Sequence, residues 1–174
     1  MSLVSNERLA RRLSQAEGYL LLDLPQRSLE ILNSLEDWGE MQFEASFLLG
    51  ESLRATGQYR EAIRPLEKAL ALRPGHVGAA ISLGWCFKRT HRLAQAIEIL
   101  EQASRAHPEE ALIHYNLSCY WSLAGNPPKA LNELAQAINL DASFRDRVKN
   151  EPDFDPIRSE PGFGSLLQDA PAQT

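Results

Sequence analysis

The side chains that could do chemistry are spread along the chain without grouping. The four histidines are His76, His91, His107 and His114, and they fall at different places in the repeated pattern described below. No two of them have the spacing that would place metal ligands on one face of a helix, so a metal site is not expected. The chain also lacks a phosphate-binding glycine loop and a nucleophile elbow. We therefore expect no enzyme activity, no cofactor and no metal.

The two cysteines, Cys86 and Cys119, lie almost one repeat apart, on helices that we expect to be equivalent. Neighbouring helices pack about 8 to 10 Å apart, whereas a disulfide needs Cα atoms closer than about 7 Å. The sequence therefore predicts two buried free thiols, and such thiols suit a reducing compartment.

These side chains are carried by a 34-residue pattern that occurs four times without insertion or deletion. The small and large apolar residues of one copy recur one period later, as in Gly50 and Gly84, Ala62 and Ala96, and Leu66 and Leu100. The small residues fall where two paired helices must approach closely, and glycine or proline marks the joints. We therefore predict four antiparallel helix pairs, at approximately residues 9–42, 43–76, 77–110 and 111–144.

The pattern resembles the tetratricopeptide repeat, whose signature at this period is Leu-Gly in a first helix, Ala and a large apolar residue in a second helix, and a closing Pro. The resemblance implies an all-α fold, an α-solenoid of about four stacked antiparallel helix hairpins over residues 9–142. The chain departs from the family at a position of each first helix where an aromatic residue is usual. These positions hold Arg12, Ser46, Ala80 and His114.

The chain extends beyond the repeats at both ends. Residues 1–8 are predicted to form an N-terminal lead-in and residues 169–174 a disordered tail. Residues 143–168 are predicted to form a capping helix followed by a C-terminal extension. Phe144 and Val148 would be the apolar side of that capping helix, which the last repeat of such an array requires.

The C-terminal extension carries three isolated apolar anchors, Phe154, Ile157 and Phe163. These anchors would either pack on the last repeat or occupy a groove of this chain or of a neighbouring copy. In the groove of a neighbouring copy, they would make a homo-oligomer through the C-terminal segment. The sequence does not decide between them.

The resemblance also implies a concave groove, lined by one face of each first helix, in which members of the family hold peptides. The positions that correspond to the groove are Ala10, Leu13 and Glu17; Glu44, Phe47, Glu51 and Arg54; Gly78, Ile81, Trp85 and Lys88; and Leu112, Tyr115 and Cys119. Phe47, Ile81, Trp85 and Tyr115 are candidate anchors for a partner, because large apolar side chains dominate binding energy in interfaces. The alternative is that the curvature of the array buries these rings between neighbouring helices.

Basic side chains flank the candidate anchors. Arg54 and Lys88 occupy the same position in successive copies, and Arg89 follows directly. A basic strip of this kind suits an acidic side chain or a terminal carboxylate on the partner. Alternatively, Glu51 pairs with Arg54 or Lys88 and leaves a solvated surface without a role.

The composition excludes several function classes. The 174 residues are 44% apolar and 24% charged, with a formal net charge of −5, which argues against nucleic-acid binding. No apolar run approaches the roughly 20 residues that cross a bilayer, and the amino terminus lacks the pattern of a secretory leader. We therefore expect a cytoplasmic protein that does not bind membranes.

These features together predict a protein–protein interaction scaffold or adaptor, which binds a partner peptide or helix in its concave groove. The predicted partner-binding residues are Phe47, Glu51, Arg54, Ile81, Trp85, Lys88, Arg89, Tyr115 and Cys119. Two alternatives also follow from the resemblance: a bacterial type III-like secretion chaperone, and a regulatory subunit of an enzyme.

Overall fold

The computed structural model describes residues 3–168, with side chains described from Asn6 onward. Ten α-helices and one 3-10 helix occur in this part of the chain, and no strand is found in it. The all-α fold predicted from the sequence is confirmed. The tail predicted at residues 169–174 lies outside the described residues.

The chain divides between Arg92 and Leu93 into two compact units, here called the first unit and the second unit. The helices of the first unit are α1 (Leu3–Leu21), α2 (Pro25–Asn33), α3 (Gln42–Ala55), α4 (Tyr59–Leu72) and α5 (Val77–Arg89). Those of the second unit are α6 (Leu93–Ala106), α7 (Ala111–Leu123), α8 (Pro127–Leu140), α9 (Phe144–Lys149), the 3-10 helix (Pro152–Ile157) and α10 (Pro161–Leu167).

Helix α1 reaches back to Leu3, into the residues predicted as a lead-in. Glu7 and Arg11 form an ion pair of 3.8 Å at a spacing of one helical turn, an arrangement that supports helix in this exposed stretch. The repeat signature starts only at about residue 9, because the first turns of α1 lie outside the 34-residue pattern.

The turn that joins the first and second helices of each copy has the same backbone conformation every time. Asp23, Gly57, His91 and Gly125 follow one another at the 34-residue period, with φ angles of 57°, 78°, 62° and 69°. This is the left-handed region, which glycine adopts without strain and other residues adopt at a cost. The period read from the sequence is therefore a property of the backbone, and two of the four turns carry a strained residue.

In the first unit, α3 is the central helix and contacts α1, α2, α4 and α5. The closest approach is at Gly50, where a Cβ atom would lie 2.5 Å from Cγ of Leu66 on α4. Both residues are buried, and so is Ala62 on the same helix as Leu66. The small residues of the pattern thus lie where the paired helices meet, as the sequence predicted.

In the second unit, α7 packs against α6 and α8, and the short helix α9 contacts α8. Phe144 and Val148 of α9 are buried, so α9 is the predicted capping helix. The 3-10 helix that follows contacts α7, and α10 contacts both α8 and α9. The C-terminal extension therefore folds onto the second unit of its own chain.

Candidate functional site

The first helices of three successive copies, α1, α3 and α5, lie side by side in the first unit, because α3 contacts both of the others. A cleft of about 610 Å³ opens beside α1 and α3, here called the α1–α3 cleft. Its walls are formed by Ala10, Leu13, Ser14, Glu17, Glu40, Met41, Phe43, Glu44, Phe47, Leu48 and His76. Five of these, Ala10, Leu13, Glu17, Glu44 and Phe47, are groove positions expected from the sequence.

Aromatic rings form one wall of the α1–α3 cleft. Phe43 and Phe47 stack at one helical turn, with their ring centroids 6.0 Å apart and an angle of 10° between the planes. The His76 ring meets both edge-on, at 4.9 Å from Phe43 and 4.8 Å from Phe47. Gly78 makes this packing possible, since a Cβ atom there would lie 3.3 Å from Cε1 of His76 and 3.4 Å from Cζ of Phe47.

His76 is held in this wall as the N-cap of α5. Its Nδ1 accepts a hydrogen bond of 3.1 Å from the backbone N–H of Ala79, a role that requires the unprotonated nitrogen. Burial lowers the pKa of His76 from its ordinary value, and the positive charge of Arg73 acts in the same direction, against a smaller opposite effect of Glu51. His76 therefore contributes a neutral ring to the cleft near pH 7.

The sequence did not identify His76 as a site residue. Its aromatic neighbours come from α3, far away in the chain, and histidine is not a preferred capping residue. The only signal in the sequence is its position directly before the predicted first helix of the third copy.

Arg73 lies against the aromatic wall but is not one of the residues that line the cleft. Its guanidinium lies 3.8 Å from the centroid of the Phe43 ring, and it forms an ion pair with Glu44 of α3. The cation is thus already engaged by a carboxylate and by an aromatic face. The ion pair with Arg73 therefore compensates the charge of Glu44, which does line the cleft.

The inner face of the first unit continues from the cleft along α5. Ile81 and Trp85 follow Gly78 at spacings of three and seven residues, which places all three on one face of the helix. Phe47, Ile81 and Trp85 are each half-buried, so that part of each side chain remains open to solvent. These three predicted anchors therefore line one face of the first unit, together with the α1–α3 cleft.

The basic side chains of this face are engaged by neighbours in the same unit. Arg54 donates two hydrogen bonds to Glu51, from Nε to Oε1 at 3.1 Å and from a terminal nitrogen to Oε2 at 3.0 Å. This contact raises the pKa of Arg54, against the opposing effect of its burial. Of the two alternatives that the sequence left open, the pairing of Glu51 with Arg54 is the one present in the structure.

Two other basic side chains, both on α5, lie over aromatic rings. The Lys88 ammonium is 5.0 Å from the centroid of Trp85, and the Arg89 guanidinium is 4.9 Å from that of Tyr59. Such cation–π contacts leave part of each charge at the surface but direct it toward a ring of the chain itself. Each member of the basic strip predicted from the sequence is thus in contact with a neighbour in its own unit.

Cys86 lies beneath this strip. It is a buried free thiol, as predicted, and Cys119 in the second unit is another. Burial raises the pKa of Cys86 to about 11; nearby Arg54 acts to lower it and Glu51 to raise it. Since the thiolate is the reactive form, Cys86 is a packing residue near neutral pH.

The fourth predicted anchor, Tyr115, lies in the second unit and is covered by the chain's own C-terminal segment. Its ring stacks on Phe144 at 4.7 Å and meets Phe154 edge-on at 6.0 Å. Only 9% of Tyr115 and 3% of Cys119 is exposed, and burial raises the pKa of the Tyr115 hydroxyl. The expectation that Tyr115 and Cys119 face a partner needs correction: in this structure the aromatic anchors of the C-terminal segment lie over the Tyr115 ring.

A further contact that the sequence did not indicate joins α7 to α8. His114 is buried, with Nδ1 2.7 Å from Oε2 of Glu133 and Nε2 2.9 Å from the backbone oxygen of Pro108. Carbonyl and carboxylate oxygens only accept, so Nε2–H of His114 donates to Pro108, and a proton must lie between Nδ1 and Oε2 of Glu133 for that contact to be a hydrogen bond. His114 stands where the family usually has an aromatic residue, and this pair explains the departure.

A second depression, of about 720 Å³, lies in the first unit beside Arg8, Leu9, Arg12 and residues 34–37. Its lining is mostly polar, and none of the predicted anchors reaches it.

Among the residues that the structure describes, no three His, Cys, Asp or Glu side chains are placed to hold a metal ion. Within the same part of the chain, no helix has the length and apolar character that a bilayer crossing requires.

Comparison with known proteins supports the repeat architecture. The family model described as tetratricopeptide repeat matches residues 53–118. No curated protein sequence matches the chain. Among solved structures, a crystal structure of MamA superposes with a TM-score of 0.71 at 20% identity, covering 79% of this chain and 81% of that one.

Two other solved structures give the same result. MamA 41-end from Desulfovibrio magneticus RS-1 has a TM-score of 0.69 at 20% identity, over 93% of this chain and 97% of that chain. YrrB, described as a TPR protein with an unusual peptide-binding site, has a TM-score of 0.65 at 19% identity, over 80% of this chain and 81% of that chain. The tetratricopeptide repeat model thus matches residues 53–118, and the chain is similar in its all-α fold to these solved structures.

Proposed function

We propose that this chain is a non-catalytic interaction scaffold, which holds an extended or helical segment of a partner protein against the inner face of its first unit. The observation that carries this proposal is the α1–α3 cleft with its aromatic wall, from which Ile81 and Trp85 continue along α5. A concave apolar surface with a few polar groups around it is the usual form of a ligand site.

The character of the anchors supports a polypeptide as the ligand. Phe47, Ile81 and Trp85 keep open surface although they are large and apolar, and residues of this kind dominate the energy of protein interfaces. The likeness in fold to YrrB, which is described as having a peptide-binding site, is consistent with the same use of this fold here.

The polar residues around the anchors would orient the bound segment. The Glu51–Arg54 pair offers carboxylate oxygens and guanidinium N–H groups at one place. Lys88 and Arg89 lie in the last turn of α5. Tyr115 and Cys119 would contribute only if the C-terminal segment left the second unit. The first unit by itself is therefore the proposed binding part.

The test begins with a random peptide library displayed on phage, with peptides of about twelve residues, selected against the full chain. The affinity of a selected peptide is then measured by fluorescence anisotropy for the wild type, Phe47→Ala and Trp85→Ala. We expect each substitution to weaken binding roughly tenfold or more, since buried aromatic anchors contribute about 2 kcal/mol or more.

The matched control is Leu72→Ala at the end of α4, a large apolar residue that is 47% exposed and does not line the cleft. It should leave the affinity unchanged. Circular dichroism melting of each variant checks that the fold is kept. Equal affinities of the wild type, Phe47→Ala and Trp85→Ala would contradict the proposed function.

A further inference from the structure

The walls of the α1–α3 cleft carry carboxylates but no Lys or Arg. Glu17 of α1 and Glu40 of the α2–α3 loop are both exposed, and Glu44 of α3 is half-buried. Among the side chains that the structure describes, no cation is paired with Glu17 or Glu40. The cleft therefore presents two uncompensated negative charges to whatever enters it.

The cationic groups near the cleft do not neutralise it. Arg73 is already paired with Glu44 and lies over the Phe43 ring. His76 presents a neutral ring, because its Nδ1 accepts the hydrogen bond from the Ala79 N–H. Arg12 of α1 donates to Oγ of Ser34 at 2.6 Å and lines the second depression instead of the cleft. The electrostatic character of the cleft is thus set by its unpaired acids.

Below these acids the cleft is apolar. Leu13, Phe43 and Leu48 are buried in its walls, and Phe47 and Met41 are half-buried there. An apolar floor accommodates a large apolar side chain, and the acids above it would favour positive charge on the neighbouring residues of the same segment. A segment with acidic residues would instead be repelled at the mouth of the cleft.

We propose, on the basis of the proposed function, that the partner segment is basic: one or two large apolar residues, flanked by Lys or Arg, enter the α1–α3 cleft beside Glu17 and Glu40. This reverses the expectation drawn from Arg54, Lys88 and Arg89, which pointed to an acidic partner. Arg54 is occupied by Glu51, and the other two cations lie over rings of their own unit, so the unpaired charge at the cleft is negative.

The sharpest test uses a single position with two opposite charges. Ser14 is exposed on α1 and lines the cleft, so that Ser14→Lys and Ser14→Glu place side chains of similar length at its mouth without disturbing the core. For a peptide selected from the random library, Ser14→Lys should weaken binding about threefold to tenfold, as expected for adding one like charge at a partly screened surface. Ser14→Glu should keep or improve the affinity.

Neutralisation of the acids gives a second and independent measurement. The double substitution Glu17→Gln and Glu40→Gln should weaken the same peptide about threefold to tenfold, and should reduce the loss of affinity on going from about 50 mM to about 300 mM NaCl. The matched control is Glu61→Gln with Glu67→Gln on α4, an identical charge change at exposed residues that do not line the cleft. It should leave both affinity and salt dependence unchanged.

The composition of the selected peptides decides the same question. Sequences enriched in Lys and Arg beside apolar residues support the proposal, whereas neutral or acidic sequences overturn it. Binding that is lost in Phe47→Ala but is insensitive to Ser14→Lys and to loss of the acids also overturns it, and leaves the proposed function standing. Failure to select any peptide that Phe47→Ala weakens overturns both. A wild-type dimer in sedimentation equilibrium that Ser14→Lys dissociates would make a second copy the occupant, and would likewise overturn this proposal.

Discussion

Single residues on the inner face differ mainly in whether their charge is already paired. Arg54 and Arg73 are each held by a glutamate of α3, while Glu17 and Glu40 have no such cation among the described side chains. The residue types at these positions could be read from the sequence. The pairing of Glu51 with Arg54 was one of two alternatives from the sequence, but the pairing of Arg73 with Glu44 was not foreseen, because it depends on side-chain rotamers and on how separate helices pack.

The left-handed turn residues allow a stability prediction at the same scale. His91 has a φ angle of 62° at a position that glycine occupies in two other copies. We expect His91→Gly to raise the free energy of unfolding by about 0.5–1 kcal/mol, because the relief of left-handed strain exceeds the extra entropy of glycine in the unfolded chain.

Urea denaturation followed by circular dichroism measures this effect, with His91→Ala as the control. Alanine keeps the strained conformation and should give little stabilisation. The reverse change, Gly57→Ala, should lower the free energy of unfolding by about 1 kcal/mol. A His91→Gly variant that is no more stable than His91→Ala would show that the turn is not strained.

At the scale of helices, the repeat spacing predicted the hairpins well. Gly50 meets Leu66 at the point where α3 and α4 come closest, and the four turns recur with the period. The pattern says nothing of contacts that are particular to one copy. The contact between His114 and Glu133 is of this kind, since the positions that correspond to His114 in the other copies hold Arg12, Ser46 and Ala80.

This contact predicts that two substitutions at Glu133 lower the free energy of unfolding by different amounts. Glu133→Ala leaves Nδ1 of buried His114 without its partner, which should cost about 1–3 kcal/mol of stability. Glu133→Gln should cost less, because the side-chain amide of Gln can donate to Nδ1 of a neutral His114 while Nε2–H still donates to Pro108.

The measurement is again the free energy of unfolding from urea titration. A ranking in which Gln and Ala are equally destabilising would mean that the charge of Glu133, and not its hydrogen bond, holds His114. A Glu133→Ala variant as stable as the wild type would show that the contact between His114 and Glu133 does not stabilise the fold.

At the scale of the whole molecule, the two units use equivalent faces in different ways. In the first unit, Phe47, Ile81 and Trp85 keep open surface beside a cleft. In the second unit, Tyr115 is sealed by Phe144 and Phe154, and Phe163 packs on Phe154 at 5.7 Å. The repeat pattern assigned the four anchors alike, because the segment that covers one of them lies outside the repeats.

The C-terminal anchors also bear on self-association. Phe154 and Ile157 are fully buried, and Phe163 is 3% exposed, within their own chain's second unit. The sequence left open whether they pack on the last repeat or occupy a groove. They pack on the last repeat of their own chain, and Phe154 does so against Tyr115, a predicted groove position of α7. A homo-oligomer through this segment would first have to expose them.

Hydrogen–deuterium exchange of the full chain, with and without a saturating selected peptide, tests the central claim most directly. Binding at the inner face of the first unit should slow amide exchange in α1, α3 and α5 and leave α2, α4 and the 3-10 helix unchanged. Slower exchange confined to α2 and α4, or to the second unit, would contradict the claim that the inner face of the first unit holds the partner.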